Sequence, residues 1–155
     1  MRYQPSTFTA RSRLGRHILE KIITLACPRC GQAFIDFNGC MALTCSRVGC
    51  GCGFCALCQE DCGGDAHPHV GGGCPLAESI GLKPREFHIR EADYAKAMTR
   101  AKVIKLHEYL DTLTEARKQH ALQDCEREIR DLGLDPSNFD GPARALRPHR
   151  HERDR

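Results

Sequence analysis

The chain has no tryptophan, aromatic residues are only 6% of it, and no apolar run approaches the roughly 20 residues that span a bilayer. The aromatic shortage argues against a conventional core in the middle third. Between Cys27 and Cys74 the larger apolar side chains are few and glycines crowd between them, so burial alone would not offset the entropy of ordering that segment. The N-terminal string MRYQPSTFTARSRLGRH has no stretch apolar enough for a secretory leader, which leads us to expect a reducing, cytoplasmic or nuclear setting and no membrane partner. A net charge of +3 over 155 residues does not call for a nucleic-acid partner. A nucleotide-binding glycine loop, a Ser-His-Asp arrangement and a paired-carboxylate site are also missing.

What the chain has instead is cysteine. Ten of its eleven cysteines fall in CPRCGQAFIDFNGCMALTCSRVGCGCGFCALCQEDCGGDAHPHVGGGC, together with a His-Pro-His. The total is odd, and two Cys-x-x-Cys knuckles open the pattern, which is the spacing of metal ligands rather than of a disulfide scaffold. Zinc is the expected metal, because it takes thiolate and imidazole together in a tetrahedron. A structural zinc contributes about 10–16 kcal/mol to folding, the stabilisation this segment otherwise lacks.

Neither knuckle can complete four ligands alone, so each needs a second pair from downstream. Taken in order, Cys27, Cys30, Cys45 and Cys50 form one site, and Cys55, Cys58, a histidine and Cys74 the other. Spacing alone leaves the closing histidine open between His67 and His69. Cys52 and Cys62 are spare thiols that can replace a neighbouring ligand. Two zinc ions are therefore expected, in tandem sites.

Periodicity organises the flanks. Leu14, Ile18, Ile22 and Ala26 mark an amphipathic helix over residues 13–26, after a flexible N-terminus at 1–12. After the zinc module (27–76), Ala95, Met98, Val103, Leu106, Leu110, Leu113 and Ala116 mark a long helical segment over 86–132, closed by Gly133 and Pro136. A basic tail over 133–155, containing His149 and His151, is expected to be disordered. The expected fold is a small zinc-stabilised α+β module. Its two zinc sites are expected in tandem between an N-terminal helix and a long C-terminal helix.

The segment Cys27–Cys74 resembles the second RING, the required-for-catalysis domain, of RING-in-between-RING ubiquitin ligases, and also their non-catalytic in-between-RING module. The resemblance lies in CPRC, nine residues to Cys40, four to Cys45, four to Cys50, then CGCGFC, ALC and a closing His and Cys. It implies two short zinc-clamped hairpins, His69 as the closing ligand with His67 the alternate, and, in the catalytic version, a non-ligand cysteine at Cys40 that accepts ubiquitin from a conjugating enzyme as a thioester. A thiol suits that exchange because a thiolate both attacks and leaves readily. The chain departs from the family at Ala42, where catalytic members often carry a histidine base, and nothing elsewhere resembles the first RING that recruits the conjugating enzyme. The alternative reading is a non-catalytic zinc module that binds a protein partner, with Cys40 an ordinary thiol. Cys125 reads as structural or merely exposed, and His107 and His120, without paired ligands at i+4, as surface or core-edge histidines.

Overall fold

Ser12 starts the first helix. Its hydroxyl accepts the Gly15 amide N–H at 3.0 Å and donates to Asp124 Oδ2 at 2.6 Å, so one side chain caps the helix and ties it to the C-terminal part of the chain. The structure, a computed structural model, describes residues 11–34, 39–72, 74–83 and 85–139. In order these form α1 (Arg13–His17), β1 (Ala42–Thr44), β2 (Gly53–Cys55), α2 (His67–Gly72), α3 (Pro75–Ser79), α4 (Glu91–Asp111), α5 (Glu115–Asp124) and α6 (Glu126–Asp131).

The flexible N-terminus expected over 1–12 needs correction at its end. Arg11 forms an ion pair with Glu128 and Ser12 is anchored on Asp124, while residues 1–10 lie outside the described residues. The chain beyond α1 continues as wider π-type turns over Ile18–Ile23, where the Thr24 N–H reaches back five residues to the Leu19 carbonyl at 2.9 Å. The helix expected over 13–26 stops there, because residues 24–26 are needed as one arm of a turn. Ala26 bridges Ala33, and the Phe34 N–H donates to the Leu25 carbonyl at 2.8 Å.

β1 and β2 pair antiparallel with Leu43 opposite Phe54, both buried. Gly53 sits where a Cβ would come within 2.8 Å of the Asp65 backbone nitrogen, so only glycine lets the 64–65 loop close on the sheet.

The single helix expected over 86–132 is corrected to three. Residues 85–89 are drawn into backbone pairing beside Cys40, and α4 begins only at Glu91. Thr114 adopts an extended backbone (φ −65°, ψ 156°) that starts α5, and Cys125 interrupts the helix again before α6. These breaks let α5 and α6 fold back, burying Ala121, Leu122, Cys125 and Ile129 against Ile18, Ile22, Leu106 and Leu110. The Cys125 thiol donates to the Gly15 carbonyl at 3.3 Å, so it is a packed core residue. Gly133 ends the helical segment as expected, but the chain beyond it is not all loose. A 3₁₀ turn at Pro136–Phe139 buries Phe139, and residues 140–155, with His149 and His151, lie outside the described residues.

Two buried clusters result, and α4 spans both. Ala97, Met98 and Ala101 pack on the cysteine-rich module, whereas Leu106 and Leu110 pack in the helical cluster. At about 100° per residue these two sets face nearly opposite sides of the helix. Ala95 and Ala116, expected to be apolar contacts, are exposed, Ala95 because the buried face changes side along α4 and Ala116 because it falls in the first turn of α5, after the break at Thr114. No helix among the described residues is long and apolar enough to cross a membrane.

Of the two places open to His107, surface or core edge, it takes neither fully: the side chain is buried. Among the described residues neither ring nitrogen has a hydrogen-bond partner, and the ring packs on Phe139 at 4.5 Å. Burial pushes its imidazole below the ordinary value, against the opposing pull of Asp111 and with that of Lys118. The neutral form is therefore favoured in the folded state. Stability contributed here is full above about pH 6.5 and falls as pH drops below it, where the unfolded state takes up the proton first. His107→Leu is expected to raise stability by about 1–3 kcal/mol by removing the unpartnered polar atoms. The gain should widen between pH 7.5 and 5.5 in paired denaturant titrations.

Candidate metal centres and a thiol site

Both knuckles share one local conformation. In the first, the Gly31 N–H donates to the Cys27 carbonyl and Cys27 N–H to the Gln32 carbonyl, both at 2.9 Å. In the second, Gln59 N–H donates to the Cys55 carbonyl at 2.9 Å and Cys55 N–H to the Glu60 carbonyl at 3.3 Å. The turn requires a left-handed residue after its second cysteine, supplied by Gly31 (φ +76°) and by Gln59 (φ +60°). A glutamine holds that strained position because its side chain is employed. Its Nε2 donates to the Ala26 carbonyl at 3.1 Å, and its Oε1 accepts from Lys105 Nζ at 2.7 Å, joining the second knuckle to the first and to α4.

The turns gather the thiols into two sets of four. Ligand atoms of Cys27, Cys30, Cys45 and Cys50 lie within 4.8 Å of one another, as do those of Cys55, Cys58, His69 and Cys74. Cys27 and Cys50 sulfurs are 3.8 Å apart, Cys30 and Cys45 3.6 Å, Cys55 and Cys74 3.8 Å, and Cys58 Sγ to His69 Nε2 3.2 Å. Zn–S bonds of about 2.3 Å in a tetrahedron put sulfurs about 3.8 Å apart, whereas a disulfide needs about 2.05 Å. The two clusters fit two zinc ions. Cys52, Cys62 and His67, kept as alternates on sequence, lie outside both sets.

Backbone amides prepare the sulfurs for charge. The Gln32 N–H draws the Cys30 thiol down to about 6. At Cys45 the Arg47 N–H also lowers it, but burial and the neighbouring thiols outweigh that and push it up to about 12. Four crowded thiols cannot all ionise side by side, and a dication removes that conflict. At the second site, the Cys55 and Cys58 thiols, helped by the Ala77 amide, hold Cys74 well below its ordinary value, while Cys58 is pushed up. His69 turns Nε2 to the cluster, and its Nδ1 lies 3.5 Å from Glu60 Oε2, the carboxylate backing that fixes a ligating imidazole. Arg29, inside the first knuckle, clasps Asp61 beyond the second with two bonds at 2.9 and 3.0 Å, holding the Asp61 carboxyl near about 2.

Cys40 belongs to neither ligand set. Cys40 is not exposed. It is 7% accessible, because residues 85–89 run beside it with Met41 N–H on the Phe87 carbonyl at 2.7 Å and Ile89 N–H on the Gly39 carbonyl at 3.1 Å. Its Sγ lies 3.8 Å from His67 Nε2, and His67 Nδ1 lies 2.7 Å from Asp65 Oδ1. Asp65 also accepts the His67 amide N–H at 3.0 Å, and that bond leads in holding its carboxyl below the usual range. Phe87 packs its ring against the imidazole at 5.3 Å. With Nδ1–H engaged by Asp65, Nε2 presents its lone pair to the thiol. The role of His67 was not read from the sequence. The Asp two positions before it, which closes an Asx turn on its amide, was the available signal.

Compared with known protein families, with curated proteins and with solved structures, the chain matches none. The described residues form a small fold of helices and one two-stranded sheet whose two cysteine/histidine clusters fit two zinc ions.

Proposed function

We propose that the chain is a zinc-scaffolded thioester-transfer module resembling the second RING of RING-in-between-RING ubiquitin ligases, with ubiquitin and a ubiquitin-conjugating enzyme as partners. The observation that carries this reading is a thiol left over from both ligand sets and set against His67–Asp65. His67 stands in for the histidine that Ala42 replaces. Cys40 passes its proton to His67 Nε2, and its sulfur attacks the donor thioester carbonyl. The donor thiolate departs and takes that proton back from His67 Nε2, which restores the neutral ring. A substrate amine then attacks the Cys40 thioester, loses a proton to His67 and releases the Cys40 thiolate. The zinc ions hold the turns and take no part in these steps.

A second reading, a non-catalytic zinc module for a protein partner, is favoured by the burial of Cys40. Transfer requires residues 85–89 to give way. Zinc-loaded protein treated with ubiquitin carrying an electrophilic C-terminus separates the two readings. The expected result is an adduct in wild type, none in Cys40→Ala with two zinc ions retained, and formation slowed roughly tenfold or more in His67→Ala. No adduct with zinc intact, or an adduct that persists in Cys40→Ala, leaves the interaction module.

A further inference from the structure

We propose that the face of α4 running from Asp93 to Ile104 is a docking surface for a short segment of a partner protein that carries apolar residues at one end and carboxylates at the other. Two adjoining grooves, about 610 and 510 Å³, share Ile80, Gly81 and Arg100 and lie along this face. The first is rimmed by Lys83, Lys96 and Arg100. Its own two carboxylates are already engaged, Asp93 by the Arg90 guanidinium at 2.9 Å and Glu86 by the Lys83 amide N–H at 2.9 Å. Among the described residues no ion pair neutralises Lys83, Lys96 or Arg100. Lys96 and Arg100 stand one turn apart on the helix, a like-charge spacing that works against α4 unless an anion lies between them. The second groove is walled by Val103, Ile104 and Leu134, all half-buried and open to solvent on one side.

The chemistry thus changes along one line, cationic at the start of α4 and apolar toward its middle. The helix rises about 17 Å from Asp93 to Ile104, the reach of about five extended residues. That fits two apolar side chains followed by two or three acidic ones. The first groove also includes His88, which pairs with Cys40 through the backbone, so the acidic end would sit on the Cys40 side. The surface stands whether or not Cys40 is reactive.

The test is fluorescence anisotropy of zinc-loaded full chain with a labelled Leu-Leu-Asp-Glu-Asp peptide. Two further peptides serve as controls, one with lysines for the acids and one with serines for the leucines. Saturable binding of the first alone is expected. It should weaken roughly tenfold or more in Lys96→Glu/Arg100→Glu, and fall as salt shortens the screening length from about 10 to about 3 Å. Zinc content and circular dichroism establish that the variant is folded, and the loop variant Lys83→Glu repeats the test if it is not. Unchanged binding in the folded variants, or no saturable binding, overturns the proposal. Equal binding of the leucine-free peptide also overturns it, leaving a diffuse cationic patch.

Discussion

Stripping zinc with a chelator is expected to unfold residues 27–74 and release the first half of α4, while the helical cluster around Ile18, Leu110 and Ile129 stays folded. The two buried clusters are separate, and only the first is built on the metal ligands. Each zinc is worth about 10–16 kcal/mol, and the apolar residues of the first cluster, led by Met41, Leu43, Phe54 and Leu57, are too few to replace that. Amide hydrogen exchange should show lost protection across both knuckles and β1–β2, retained protection in α5 and α6, and a boundary within α4. Uniform loss of protection would mean that the clusters form one cooperative unit.

Leu110→Ala is expected to have the opposite footprint. Leu110 is fully buried in the helical cluster, and its truncation should cost about 2–5 kcal/mol through lost burial and the cavity left behind. The damage should fall on α1, α5 and α6, with both zinc ions retained and the knuckles still protected. Because α4 is common to both clusters, its C-terminal half should fray first. Loss of zinc from this variant, at protein and metal concentrations where wild type is saturated, would show that the helices hold the metal module together.

The metal ligands were legible because they are local. A Cys-x-x-Cys turn folds on its own hydrogen bonds, so Cys27, Cys30, Cys55 and Cys58 could be paired with later ligands by order alone. The helical flanks were legible in existence but not in extent. The stripe Met98, Leu106 and Leu110 reads as one apolar face, yet the two halves of α4 serve different clusters on different sides. Nothing in a single periodic pattern marks that change. The break at Thr114 is a local signal of helix restart that the continuous charge pattern masks. The neighbourhood of Cys40 was not legible at all. It depends on residues 85–89 returning across nearly 50 positions to pair with 39–41, and on α2 turning its two histidines to different tasks, His69 to the cluster and His67 to the thiol. Burial of His107 likewise depends on the 3₁₀ turn that places Phe139 over it.

Counting zinc by native mass spectrometry in wild type, Cys40→Ala and Cys45→Ser tests the central claim most directly, that eight ligands hold two ions and leave Cys40 aside. Two zinc ions are expected in wild type and in Cys40→Ala, and one in Cys45→Ser, with the second site still filled. A zinc lost from Cys40→Ala, or fewer than two in freshly purified reduced wild type, would contradict it.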